Sequence, residues 1–206
     1  MLNNDGARRA VSGIVDPLAK GLLALRLTPD AVTLIGTVGT CAAALAFFPR
    51  GDFVIGVIII AIFVLFDLLD GTMARLSGSS GPWGNFLDST LDRVADGAVF
   101  GGVLLWAALR GDAWTAGATL AALVAGQVTS YAKARAESVG ATANVGIIER
   151  AERILILLGA ALIAGFGPTI VLVIAVWLLA VVGSITVIQR IVVVRRQLRA
   201  RPDSPA

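Results

Sequence analysis

The segment 67–92 reads DLLDGTMARLSGSSGPWGNFLDSTLD and carries four aspartates at helical spacing. Asp67 and Asp70 are three residues apart and share one helix face; Asp88 and Asp92 are four apart and share another. Residues 76–82 between them are rich in Gly and Ser and turn the chain around. Two antiparallel helices follow, each presenting a carboxylate pair to the other. The chain has no histidine and one cysteine, Cys41. This excludes His-based acid–base catalysis, Ser-His-Asp triads, His-ligated zinc and an internal disulfide. An all-oxygen donor set suits Mg²⁺ or Mn²⁺. Two such ions bridged by four carboxylates form a clamp suited to displacement at phosphorus. The alternative partners are Arg75 and Arg93, two guanidiniums against four carboxylates.

The elements that position these aspartates are apolar. The chain has 206 residues, 57% of them hydrophobic, above the 45–50% of an ordinary soluble domain. Charged residues bracket 19 uncharged residues at 31–49 and 20 at 113–132, each near the ~20 that a membrane-crossing helix needs. A run of 36 uncharged residues at 154–189 is divided by the Gly-Phe-Gly-Pro at 165–168 into two helices. Residues 53–66 and 97–109 number 14 and 13. Each reaches spanning length only by continuing into the aspartates, over about 53–76 and about 84–109.

The expected fold is therefore an all-α integral membrane protein with six transmembrane helices. It forms one domain over 1–206, with the six-helix bundle at 31–197. Six spans place both termini on one side. The loops of the other side carry only Arg50 and Arg110, leaving 15 of the 17 basic residues to the first side or to helix ends facing it. The positive-inside rule makes that side cytoplasmic. The protein is thus expected in the cell membrane as a multi-pass protein, its aspartates at the cytoplasmic boundary. A charge inside a membrane helix costs about 2.5–3.5 kcal/mol on insertion scales, so the carboxylates need cationic compensation.

At 7–25, Val11, Ile14, Val15, Leu18 and Leu22 recur on one helical face, with Arg8, Arg9, Ser12, Asp16 and Lys20 elsewhere. This predicts an amphipathic helix lying on the cytoplasmic surface. Residues 198–206, with Arg199, Arg201 and two prolines, are expected to form a flexible tail.

The arrangement Asp67-x2-Asp70-Gly71-x2-Ala74-Arg75-x8-Gly84-x3-Asp88-x3-Asp92 resembles the signature of the CDP-alcohol phosphotransferases at all eight fixed positions. The resemblance implies a homodimeric six-helix fold with a two-metal site. Asp67, Asp70 and Asp88 are implied as metal ligands, and Asp92 as a ligand that also serves as general base. Gly71, Ala74, Arg75 and Asp67 are implied to bind the CDP part of a CDP-linked lipid, CDP-diacylglycerol. The implied reaction moves a phosphatidyl group to an alcohol and releases CMP.

The acceptor must be inferred elsewhere. YAKARAE at 131–137, ERAER at 149–153 and the pair Arg195–Arg196 place cations at the cytoplasmic mouth. A phosphorylated acceptor needs them, because guanidinium forks bind phosphate well; a neutral polyol does not. These segments resemble those of the actinobacterial phosphatidylinositol-phosphate synthases. That resemblance implies inositol 1-phosphate as acceptor, held by Lys133, Arg153 and Arg195 or Arg196, with Ser130, Arg135 and Glu137 along the same pocket. The bland alternative is that these basic residues anchor the chain to anionic lipid headgroups. A phosphatidylglycerol-phosphate synthase using glycerol 3-phosphate is the runner-up within the class. An ion-coupled transporter fits less well, because such proteins show inverted repeats and midplane sites. A membrane scaffold needs no four-aspartate register. No feature points to nucleic acid.

Overall fold

The computed structural model describes residues 5–200, with side chains described over 15–66 and 68–200. The side chains of Arg8, Arg9, Val11, Ser12 and Ile14, and residues 201–206 of the expected tail, lie outside the described residues. Every regular element among the described residues is helical. In order they are α1 (Asp5–Ala24), α2 (Pro29–Phe47), a 3₁₀ turn (Phe48–Arg50), α3 (Phe53–Ser77), α4 (Pro82–Leu109), α5 (Ala113–Ser138), α6 (Arg150–Ala164) and α7 (Ile170–Arg199).

Local sequence sets the helix ends. Thr28 caps α2: its hydroxyl oxygen accepts from the Ala31 amide at 3.2 Å. Pro29 and Asp30 follow, a proline where no amide partner is needed and an acid facing the positive helix end. Gly78 ends α3 at φ +69°, with the Ser79 amide donating to the Ala74 carbonyl at 3.0 Å; the left-handed residue closes off otherwise orphaned carbonyls. Pro82 then opens α4. Asp112 caps α5 by accepting from the Thr115 amide at 3.0 Å. Glu152 reaches back to the Glu149 amide at 2.8 Å at the start of α6.

Among the described residues, three segments are long and apolar enough to cross a membrane: Pro29–Arg50, Phe53–Ser77 and Ile170–Arg199. In the third, α7 runs through Arg190 to Arg199.

The chain divides into two compact units: Met1–Ala44 with Ile58–Val99, and Leu45–Val57 with Phe100–Ala206. In the first, Ala19, Val32 and Met73 form a buried core joined by Leu22, Leu23, Leu27, Phe66 and Leu69. There α2 packs directly on α3. A methyl added at Gly36 would stand 3.0 Å from Phe66 Cβ, and one at Gly39 would overlap the Phe63 ring, so only glycine permits this approach. In the second unit, α7 packs against α5 and α6. Ala136, Ala141 and Ala143 are buried there with Val194 and Leu198 against them.

Candidate active site

In the first unit, α3 delivers Asp67 and Asp70, and α4 delivers Asp88, Asp92 and Asp96. The Asp67 side chain lies outside the described residues. Asp70 is buried. The Thr33 hydroxyl on α2 donates to Asp70 Oδ2 at 2.5 Å, a length typical of a charge-assisted O–H···O⁻ bond. The same hydroxyl lies 3.1 Å from the Pro29 carbonyl. It has one proton, so the shorter contact to the carboxylate takes precedence.

Along α4 the aspartates recur every four residues and grow more buried: Asp88 is exposed, Asp92 partly covered, Asp96 buried. Arg93 spans the latter two, its Nη2 3.6 Å from Asp92 and 3.8 Å from Asp96. Arg75 is exposed, and its Nη2 donates to the Thr72 hydroxyl at 2.8 Å. Gly71, Ala74 and Arg75 thus lie within two turns of Asp70 on α3. A methyl added at Gly84 would meet nothing within 4 Å, leaving backbone accessible at that turn of α4. The Trp83 indole nitrogen donates to Asp30 Oδ2 at 2.8 Å.

Among the described residues, no three metal-binding side chains gather closely enough to hold an ion. The donors that the unit supplies are nonetheless all carboxylate oxygens. One of them, Asp70, is buried with its orientation fixed by a hydroxyl. That donor chemistry fits a hard divalent cation.

The second unit carries the basic residues. Lys133, Arg195 and Arg196 are exposed. Arg153 is 2% exposed, and its Nη2 donates to the Gly126 carbonyl at 3.4 Å. A methyl at Gly126 would stand 3.2 Å from Arg153 Nε, so the absent side chain on α5 makes room for the guanidinium. Arg135 bonds the Ser138 hydroxyl at 3.0 Å at the end of α5.

Three polar groups on α7 went unassigned in the sequence. Arg190 is buried; it donates to the Thr129 carbonyl at 2.7 Å and to the Val145 carbonyl at 2.9 Å. The Thr186 hydroxyl oxygen accepts from the Ile147 amide at 3.3 Å. The Gln197 amide bonds both backbone groups of Thr142. Together they hold the nonhelical segment 141–149 that leads into α6. The signal was present: Thr186, Arg190 and Gln197 fall on one face of an otherwise apolar helix. Thr33 was also missed. It stands with Thr37 and Thr40, all buried, on one stripe of α2.

Comparison with known proteins places these features in context. Residues 26–194 match the model of a family described as CDP-alcohol phosphatidyltransferase. The chain is 49% identical over 202 residues to a phosphatidylinositol phosphate synthase of Streptomyces avermitilis, covering 94% of this chain and 83% of that protein. It is 46% identical over 190 residues to one of Mycobacterium tuberculosis, covering 90% and 87%. Its structure resembles the crystal structure of a Mycobacterium tuberculosis phosphatidylinositol phosphate synthase with CDP-DAG bound, with a TM-score of 0.86, 44% identity, and coverage of 94% of this chain and 98% of that one. The same enzyme in complex with manganese and citrate gives a TM-score of 0.87 at 44% identity, covering 94% of each chain.

Proposed function

This chain belongs to the CDP-alcohol phosphatidyltransferase family, and we propose that it transfers the phosphatidyl group of CDP-diacylglycerol to inositol 1-phosphate, giving phosphatidylinositol phosphate and CMP. The observation that carries the choice of acceptor is 49% identity, across nearly the whole chain, to a protein named phosphatidylinositol phosphate synthase. The basic residues of the second unit agree with a phosphorylated acceptor.

Asp67, Asp70 and Asp88 are read as ligands of two divalent cations, Mg²⁺ or Mn²⁺, with Asp92 as a further ligand. Bound there, the cations would neutralise charge on the diphosphate as it is cleaved. Gly71, Ala74 and Arg75, with Asp67, bind the CDP part. Asp92 takes the proton of the acceptor hydroxyl. The oxygen so freed forms a bond to the phosphorus bearing diacylglycerol, and the bond from that phosphorus to CMP breaks. Arg75 meets charge on the departing nucleotide. Lys133, Arg153 and Arg195 or Arg196 bind the phosphate of the acceptor, and Ser130, Arg135 and Glu137 line the same pocket.

The setting that supports this chemistry is a single domain of six spans in the cell membrane, with both termini and the aspartates on the cytoplasmic side, and a homodimer as the assembly. The distribution of basic residues supports the orientation. Residues 7–25 are read as an amphipathic helix on the same surface.

The test is CMP release by detergent-purified protein from CDP-diacylglycerol with Mg²⁺, given inositol 1-phosphate, inositol or glycerol 3-phosphate in turn. Release is expected with inositol 1-phosphate alone and is expected to vanish with EDTA. Release with glycerol 3-phosphate but not inositol 1-phosphate would instead make the protein a phosphatidylglycerol-phosphate synthase.

A further inference from the structure

Asp70 is held by a residue outside the eight-position signature. Thr33 on α2 is 7% exposed, Asp70 on α3 is 8% exposed, and the hydroxyl donates to Asp70 Oδ2 at 2.5 Å. The two residues lie 37 apart in the chain, so tertiary packing alone makes the contact. Its cause is the close approach of α2 to α3. At Gly36 and Gly39, α2 has no side chains to hold off Phe66 and Phe63. Thr33 is one turn before Gly36, and Asp70 is one turn after Phe66, so in this antiparallel pair the turn beyond the glycine contact brings the hydroxyl to the carboxylate. Thr33 is itself fixed, because its branched side chain has few rotamers in a helix and its carbonyl accepts from the Thr37 hydroxyl at 2.9 Å.

We infer that Thr33 is a positioning residue for the divalent-cation site: its hydroxyl pins one oxygen of Asp70 and so fixes the rotation at which that carboxylate meets the ion. A carboxylate free to turn about its terminal torsion samples a broad range. One anchored by a buried donor is presented in one orientation, with less ordering left for the ion to impose. Partners of this kind behind a ligating carboxylate are worth about 10- to 100-fold in metal affinity. This rests on the reading of Asp70 as a ligand.

The experiment is titration of Mn²⁺ into the full-length protein in detergent, free Mn²⁺ being followed by electron paramagnetic resonance. Thr33→Val keeps the shape and removes the hydroxyl; it is expected to raise the Mn²⁺ dissociation constant about 10- to 100-fold. Thr33→Ser keeps the hydroxyl and is expected to stay within about threefold of the parent, because the donor to Asp70 is retained. Equal Mn²⁺ affinity of parent and folded Thr33→Val overturns the proposal, as does a loss in Thr33→Ser as large as that in Thr33→Val, which would assign the effect to the methyl. If Thr33→Val does not yield folded protein, Thr33→Ala is compared with Thr33→Ser, and equal affinity of those two overturns it. Asp70→Asn separates this from the underlying reading. If that variant binds Mn²⁺ like the parent, Asp70 is not a ligand; if it loses Mn²⁺ while Thr33→Val does not, only the role of Thr33 falls.

Discussion

The side-chain amide of Gln197 pairs with the backbone of Thr142 in both directions: its nitrogen donates to the Thr142 carbonyl at 2.9 Å, and its oxygen accepts from the Thr142 amide at 2.9 Å. One glutamine on α7 thereby takes the part of a neighbouring strand for the segment leading to α6. Gln197→Ala removes both bonds, at about 0.5–1.5 kcal/mol each. A lower melting temperature and faster deuterium exchange at the Thr142 amide are expected. Unchanged exchange at that amide would show that the segment is held by Arg190 and Thr186 alone.

Lys133 and Arg153 are predicted to differ. Lys133 is exposed, so under the proposed role Lys133→Ala would remove one charge-assisted contact to the acceptor, worth about 1.5–3 kcal/mol, and little else. The KM for inositol 1-phosphate should rise about 10- to 150-fold, with the KM for CDP-diacylglycerol and the melting temperature nearly unchanged. Arg153 is buried on the Gly126 carbonyl, so Arg153→Ala should raise the same KM and also lower the melting temperature. Steady-state kinetics with each substrate varied, alongside thermal unfolding, checks both. Lipid anchoring by Lys133 predicts no acceptor-specific change.

Asp92→Asn should lower kcat about 10²- to 10⁴-fold, the usual worth of a positioned base, while CDP-diacylglycerol binding changes little. Binding of the lipid nucleotide and single-turnover kinetics are the measurements. Lost binding with unchanged turnover at saturation would remove Asp92 as the base.

Asp112 makes a pH-dependent contribution at the start of α5. Hydrogen bonds from the Thr115 hydroxyl and then the Thr115 amide hold its carboxyl below the ordinary aspartate value. A carboxylate with a lowered folded value contributes stability that is fully present above its unfolded value, about 3.9, and is lost as pH falls through the folded value. Asp112→Ala should therefore melt lower than the parent at neutral pH, and the gap should close on acidification below that range. A gap independent of pH would assign the effect to helix propensity.

The aspartate motif and the extents of α3 and α4 were legible in the sequence because both are local. Apolar runs too short to be complete helices had to continue into Asp67, Asp70 and Asp88, and the helices do so. The Thr33–Asp70 bond was not legible, since it depends on how closely two helices pack, which Gly36 and Gly39 decide. The burial of Arg190 was not legible either: it lies inside the last helix, which runs through it to Arg199. The guanidinium is satisfied by two carbonyls, Thr129 and Val145, and a charge with such partners need not end a helix. For the same reason Arg153 read as an open cation, although it is buried.

The segment 141–149 is gripped through its main chain: α7 reaches the amide and carbonyl of Thr142, the carbonyl of Val145 and the amide of Ile147. The spacing matches, since eleven helical residues from Thr186 to Gln197 advance about 16 Å and five extended residues from 142 to 147 cover about as much. Recognition by backbone is indifferent to side-chain identity. The exposed positions 144 and 147 are therefore open to substitution, whereas the Thr142 hydroxyl also meets the Gln197 amide nitrogen, at 3.2 Å. Proline is the exception at 142 and 147, where it deletes an amide that α7 holds. The variable text is on the loop, and the grammar that keeps it in place is on α7.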